Sequence, residues 1–243
     1  MVSQAIQHIE GLLRARNLDG TLAKLELVPA MAPTGVDALD RALGGGWRRG
    51  ELSELTGARS SGRTTLLLSS LAAATARGEV VGLVDSLDRF DPASAANAGV
   101  DVVRVLWVRG PSLTSLPTRS SRASDLNLSD ALVRRALRAA DLMVRAGGFG
   151  IVALDLADVP AAILGRVPVT SWLRLAHANE GRDTVCLLLA DHPVARSPRG
   201  VSVRLTATPR WRGDSAQSRR LAGLDVAVTV TSARHMDSAR FAI

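Results

Sequence analysis

An α/β fold built on a mainly parallel central sheet is the class this sequence predicts, on three observations. Near-continuous apolar runs at residues 80–85, 102–108, 151–155 and 184–190 alternate with stretches of helical periodicity. Strands apolar on both faces belong in a sheet covered by helices on both sides. A glycine-rich segment, Gly57-Ala58-Arg59-Ser60-Ser61-Gly62-Arg63-Thr64-Thr65, lies between a strand pattern at 51–56 and a helical one at 65–74. Finally, carboxylates stand at the ends of the apolar runs: Asp85, Asp155 and Asp191. Ligands of open α/β sheets bind there, outside the carboxyl ends of the strands.

The elements follow in order. Residues 2–16 place Ile6, Ile9, Leu12 and Leu13 on one face, the pattern of an amphipathic helix that packs on its own core or docks to a partner. Residues 25–33, with Pro29 and Pro33, read as a linker. Thr34 is expected to cap a short helix reaching Leu43, with Asp37 at the capping-box position, before Gly44-Gly45-Gly46 ends it. Residues 111–124, rich in Ser, Thr and Arg, read as a loop. A helix is expected from about 129 to 146, with Leu132, Leu137, Leu142 and Met143 apolar. Residues 201–206 and 224–230 alternate with period two, as antiparallel edge strands joined by a polar arm. The chain therefore divides into an N-terminal helix and linker (1–30), a core (31–231) and a C-terminal tail (232–243), with no internal repeat.

Composition narrows the function classes. At 243 residues and 47% hydrophobic content, one domain with a sizeable core is expected. No apolar run approaches the ~20 residues of a membrane span, and the N-terminus lacks an apolar signal core, so a cytoplasmic location is expected. Cys186, the only cysteine, sits in an apolar run and reads as a buried thiol. With it and four histidines there is no zinc constellation. The net charge of +7 and a pI near 11.2 favour a polyanionic partner, DNA first.

The glycine-rich segment carries the most specific chemistry. In the pattern G-x-x-x-x-G-K-[ST], backbone N–H groups at a helix N-terminus cradle phosphates and the Lys reaches the terminal ones. Here both glycines and Thr64 are in place, and the Lys is Arg63. Lys24 is the only lysine in the chain, so one reading is a compositional drift to Arg. The other is a weakened site, because a planar guanidinium does not replace a compact ammonium in a tight cradle. If ATP or ADP binds, Thr64 and Asp155 are the hydroxyl and carboxylate expected to hold Mg2+, with Asp85, Asp91 and Asp191 as further candidates near the nucleotide.

These residues, together with 80–92, Gly99-Val100-Asp101 and 151–155, resemble the ATPase core of RecA recombinases. Within that group, residues 32–55, with Gly44-Gly45-Gly46-Trp47, are similar to ImuA, the RecA-like accessory protein of bacterial mutasomes, a group also described as SulA-like. The resemblance implies a RecA-like P-loop core over roughly residues 30–235. Several motor parts then depart from the pattern. The second strand of RecA enzymes ends D-x-E, its Glu activating the attacking water, whereas this chain reads Asp85-Ser86-Leu87, with Asp88 one residue late. Losing a positioned base costs typically ~10²–10⁴ in rate. The adenine-stacking Tyr, three residues past the position of Asp91, falls on Ser94, and the lysines that complete a neighbour's site fall near Ser232 and Arg234.

The basic segments remain candidates for nucleic acid. Arg196, Arg199 and Arg204 surround the connection that corresponds to a DNA-binding loop, and Arg210, Trp211, Arg212, Arg219 and Arg220 lie on the polar arm. Arg with an interleaved Trp suits phosphate contact plus base stacking on single strands. Arg119 and Arg122 add to the 111–124 loop. The resemblance therefore implies an accessory protein of DNA-damage-induced, error-prone translesion synthesis (SOS mutagenesis), with a degenerate ATPase site. Its implied partners are an ImuB-type polymerase relative, an error-prone replicative polymerase, RecA and single-stranded DNA, with self-association through the N-terminal helix. The alternatives are an active RecA-like DNA-dependent ATPase, with Asp88 as a substitute base, and a SulA-like inhibitor of the division protein FtsZ.

Overall fold

The computed structural model describes residues 30–111, 122–195, 199–215, 217–231 and 236–242. The expected N-terminal helix lies outside them, and the larger of the chain's two compact units spans Met31–Ile243. It opens with β1 (Met31–Ala32), which pairs antiparallel with β2 (Trp47–Arg48) across α1 (Asp37–Leu43). The end of the expected linker is thus a short strand. The cap of α1 also differs from the expectation: Val36 is the N-cap and no side chain caps it. Thr34 instead accepts from the Val36 N–H through Oγ1 (3.1 Å) and donates its own N–H to Asp40 (2.8 Å), so Asp40 takes the reciprocal role expected of Asp37.

Trp47 is fully buried and donates from its indole to Ser70 Oγ at 3.0 Å, fixing this ribbon to the helix after the glycine-rich loop. Gly46, immediately before it, has φ +128°, and a Cβ there would lie 2.2 Å from the Ala32 carbonyl oxygen. The Gly-Trp pair is therefore a packing device: no side chain at 46, so that the one at 47 can go inside.

The main sheet contains β3 (Leu52–Gly57), β4 (Val80–Asp85), β5 (Val105–Arg109), β6 (Phe149–Asp155), β7 (Val185–Ala190), β8 (Ser202–Arg212), β9 (Arg220–Thr231) and β10 (Met236–Ala242), in the order β10-β9-β8-β3-β7-β6-β4-β5. From β8 through β5 every neighbouring pair is parallel, and β9 runs antiparallel to both of its neighbours, β8 and β10. The α/β class with a mainly parallel sheet is as the apolar runs predict. Residues 102–104 are a 3-10 turn rather than the start of β5. The polar arm is itself strand, since β8 and β9 pair from Ser202–Thr231 out to Arg212–Arg220. Residues 236–242, which the sequence sets apart as a tail, pair with β9 from Met236–Thr231 to Ala242–Asp225.

Helices cover both faces: α2 (Arg63–Ala76), α3 (Pro92–Asn97), α4 (Arg122–Ala146), α5 (Ala161–Leu164) and α6 (Val169–Asn179). α4 begins earlier than the 129 expected, because the Ser, Asp and Asn of its first turns read as loop-formers. On one face α2 packs Leu66, Leu67 and Leu71 against Leu55, Val81, Leu83, Ile151 and Leu189. On the other, α4 and α6 pack Val133, Ala140, Trp172 and Leu175 against Leu52, Val84, Leu154 and Leu188. Burying Leu66 and Leu71 stabilises by about 1.5–3 kcal/mol each. That burial anchors the helix whose first turn forms the candidate site. Among the described residues, no helix is long and apolar enough to cross a membrane.

Candidate functional site

β3 lies between β7 and β8, and its last residue, Gly57, opens the glycine-rich loop. A Cβ at Gly57 would come within 2.5 Å of Ser61 Oγ and 2.7 Å of the Leu205 carbonyl, so the turn requires glycine. Ala58, Arg59 and Ser60 are exposed, Ser60 with φ 60°; Gly62 has φ 93°, and α2 starts at Arg63. The loop therefore has the strand–turn–helix context of a phosphate cradle. Ser61 Oγ is buried without a hydrogen-bond partner. A buried polar atom in that state calls for an explanation, and an oxygen-rich ligand in the loop would supply one.

Arg63 is buried, and its Nη1 donates to Oδ1 of Asp191, just past the end of β7. The same carboxyl oxygen accepts from the Asp158 N–H at 3.2 Å, and Asp158 is paired in turn with Arg89. Burial works to raise the Asp191 carboxyl. The hydrogen bonds from Arg63 and Asp158, with the Arg63 charge, outweigh it and hold the group below the usual carboxylate range. The backbone of the loop fits a phosphate; the side chain that should meet that phosphate is occupied by a carboxylate of the chain itself.

The other candidate carboxylates have separate fates. Asp155 stands beside Asp85 in the β6–β4 register and accepts from the Ala157 N–H at 2.9 Å. Burial pushes its carboxyl up to about 6, with Asp85 adding and Arg63 and Arg89 opposing. Asp85 is buried and accepts from the Phe90 N–H (2.8 Å) and the Trp107 indole (3.2 Å), so it holds the β4–α3 turn. Asp91 caps α3, accepting from the N–H groups of Ala93 and Ser94 and from the Ser94 hydroxyl. Thr64 is exposed on the first turn of α2 and Thr65 half-buried. Thr64 and Asp155 remain a hydroxyl and a carboxylate suited to a divalent cation, although no group of three or more ligating side chains occurs among the described residues.

Leu87, where the RecA resemblance implies a water-activating Glu, is half-buried and packs against the apolar cluster beneath α4 and α6. Asp88, with φ 55°, is gripped by Arg109 through two hydrogen bonds of 2.8 and 2.9 Å, while that guanidinium also stacks on Trp107 at 4.5 Å. The Arg109 hydrogen bond holds the Asp88 carboxyl low, engaged at the β5 edge.

One site residue carries a clear sequence signal that motif matching passes over. Glu54 is an acidic residue inside a strand buried along its whole length. Its Oε1 accepts from the N–H groups of Val194 (2.7 Å) and Ala195 (2.5 Å), tying the connection that follows Asp191 to the strand that precedes the loop. Asp158 and Arg89 have no comparable signal, because their link to Asp191 exists only in the folded chain.

The basic candidates are spread more widely. Arg196 lies outside the described residues. Arg199 is paired with Glu180 at 2.6 Å, away from the arm. Arg204 is exposed on β8 beside the end of β3. Arg210, Trp211, Arg212 and Arg220 lie on the paired strands of the β8–β9 hairpin, with Arg219 in the turn between them. Trp211 is 52% exposed, opposite Leu221 at 58%, with Arg219 5.9 Å from its ring and Arg210 paired to Asp225 at 3.3 Å.

A central parallel strand, a glycine-rich turn and a helix N-terminus, with carboxylates ending the neighbouring strands, define an α/β phosphate-loop protein. Residues 2–165 match the family described as RecA N-terminal domain, and the chain belongs to that family. It is 41% identical to Protein RecA of Prochlorococcus marinus (strain MIT 9303) over 112 residues, 46% of this chain and 27% of that protein. It is 32% identical to Protein RecA of Picosynechococcus sp. (strain ATCC 27264 / PCC 7002 / PR-6) over 158 residues, 63% of this chain and 42% of that protein. The matches thus span less than half the length of these relatives.

Proposed function

We propose that this RecA-family chain works by binding rather than by turnover, as an ImuA-like accessory protein of DNA-damage-induced translesion synthesis. The observation that supports this most is the pairing of Arg63 with Asp191. Leu87, half-buried against the apolar cluster where the resemblance implies a general base, supports it independently. The partners in this reading are an ImuB-type polymerase relative, an error-prone replicative polymerase and RecA. The test is ATP hydrolysis by the purified protein, with and without single-stranded DNA, beside the double variant Arg63→Lys, Leu87→Glu. No turnover by the natural chain is expected; DNA-stimulated turnover would overturn the reading in favour of a working motor.

DNA contact in this reading runs through the β8–β9 hairpin, where Trp211 offers a stacking face among arginines. Base–aromatic stacking is worth about 1–3 kcal/mol per base. Trp211→Ala is accordingly expected to weaken oligo(dT) binding by about tenfold in fluorescence anisotropy at fixed salt. An unchanged affinity would remove the hairpin from the DNA-binding surface.

A further inference from the structure

We propose that Asp191 is a built-in competitor for the phosphate loop, holding Arg63 where an incoming anion would otherwise take it. An anion then enters the loop only by displacing the Asp191 carboxylate. This rests on the preceding reading only in treating the loop as a binding site.

A guanidinium accepts a carboxylate and a phosphate through the same planar set of N–H donors, so the two compete for one geometry. In this chain the carboxylate is supplied internally. Asp191 does not approach Arg63 as a free surface group, because it is positioned from both sides in the chain. The Asp158 N–H donates to it at 3.2 Å, and Glu54 holds Val194 and Ala195 a few residues on. Meanwhile Ser61 Oγ, buried in the same loop, has no partner. The cation of the site is satisfied while an acceptor-seeking hydroxyl beside it is not, which is the pattern of a cradle closed by a substitute for its ligand rather than of one repacked as plain core.

The substitution has a directional consequence. Asp191 bridges Arg63 to the Asp158 backbone, and Asp158 is tied to Arg89. Displacing the carboxylate therefore frees the Asp158 N–H on the β6–α5 connection. Occupancy of the loop and the ordering of that connection are thus linked through one carboxylate, and the linkage is reciprocal.

The test measures equilibrium binding of inorganic pyrophosphate by calorimetry at constant ionic strength. A ligand that must first open a closed state binds more weakly by the fraction of open molecules. Asp191→Asn is expected to bind pyrophosphate about tenfold more tightly than the natural chain, or better, and Asp191→Asn, Arg63→Ala to lose that gain. If Asp191→Asn does not fold, Asp191→Ser is read the same way. In the natural chain, saturating pyrophosphate is expected to speed amide hydrogen exchange in residues 156–163. Equal affinity of the natural chain and a folded Asp191 variant overturns the proposal, as does binding with no change in exchange. Because turnover is not measured, ATP hydrolysis by the natural chain would defeat the proposed function and leave this result standing.

Discussion

Glu54→Ala is expected to lower the unfolding free energy by about 3–5 kcal/mol, the cost of emptying a buried site and stranding its polar partners. Glu54 is 4% exposed and its Oε1 is the acceptor of two backbone N–H groups. Alanine removes the acceptor and leaves the N–H groups of Val194 and Ala195 without it; an unmade buried bond costs about 1–3 kcal/mol each. Glu54→Gln separates the contributions. Its amide oxygen can still accept both bonds, so only the difference between carboxyl and amide is lost, and the expected cost falls to about 1–2 kcal/mol. Chemical denaturation of the two variants checks this. If Ala and Gln cost the same, the two backbone bonds are not what Glu54 contributes.

The second large effect belongs to Gly46. Gly46→Ala is expected to destabilise by about 3 kcal/mol or more, because two penalties coincide. At φ +128° any L side chain is strained, and the added Cβ would meet backbone atoms of Ala32 and Pro33 at 2.2–2.8 Å. A backbone cannot rotate aside as a flexible side chain can, so relief requires separating β1 from β2 or withdrawing Trp47 from its bond to Ser70. The signature is a loss of stability accompanied by a red shift of Trp fluorescence as Trp47 meets water. Full stability with unchanged emission would show that the ribbon yields easily.

Much of this architecture is legible in the sequence because strands such as residues 151–155 are apolar on both faces. Only a sheet sandwiched between helices buries such strands fully. The phosphate loop is legible for a related reason: a Cβ would collide at Gly57, and Gly62 adopts a φ of 93° that favours glycine. What stays hidden is of two kinds. Local preference misleads where tertiary pairing decides, as at Met236–Ala242, where a strand forms because β9 offers an open edge. Residue roles are hidden where partners are remote in sequence. Asp91 and Asp85 have the composition of ligands, yet fold into a helix cap and a turn clasp. Arg63 reads as a substitution within a motif, and only the folded chain brings Asp191 across 128 positions to meet it.

The β8–β9 ribbon is held unevenly along its length. β3 supports β8 only as far as Leu205, and β10 supports β9 only as far as Asp225, while β8 and β9 continue together to Arg212 and Arg220. Residues 209–212 and 220–224 therefore extend past the sheet as a cantilever, about 15 Å at ~3.4 Å per residue. Pro209, which has no N–H to give, and the register shift at Arg210–Trp211 lie on this overhang. Among the described residues no third strand flanks this overhang, and a two-stranded ribbon twists more strongly than a wide sheet. Its arginines and Trp211 can thus be re-aimed by bending at the root, without disturbing either face of the core.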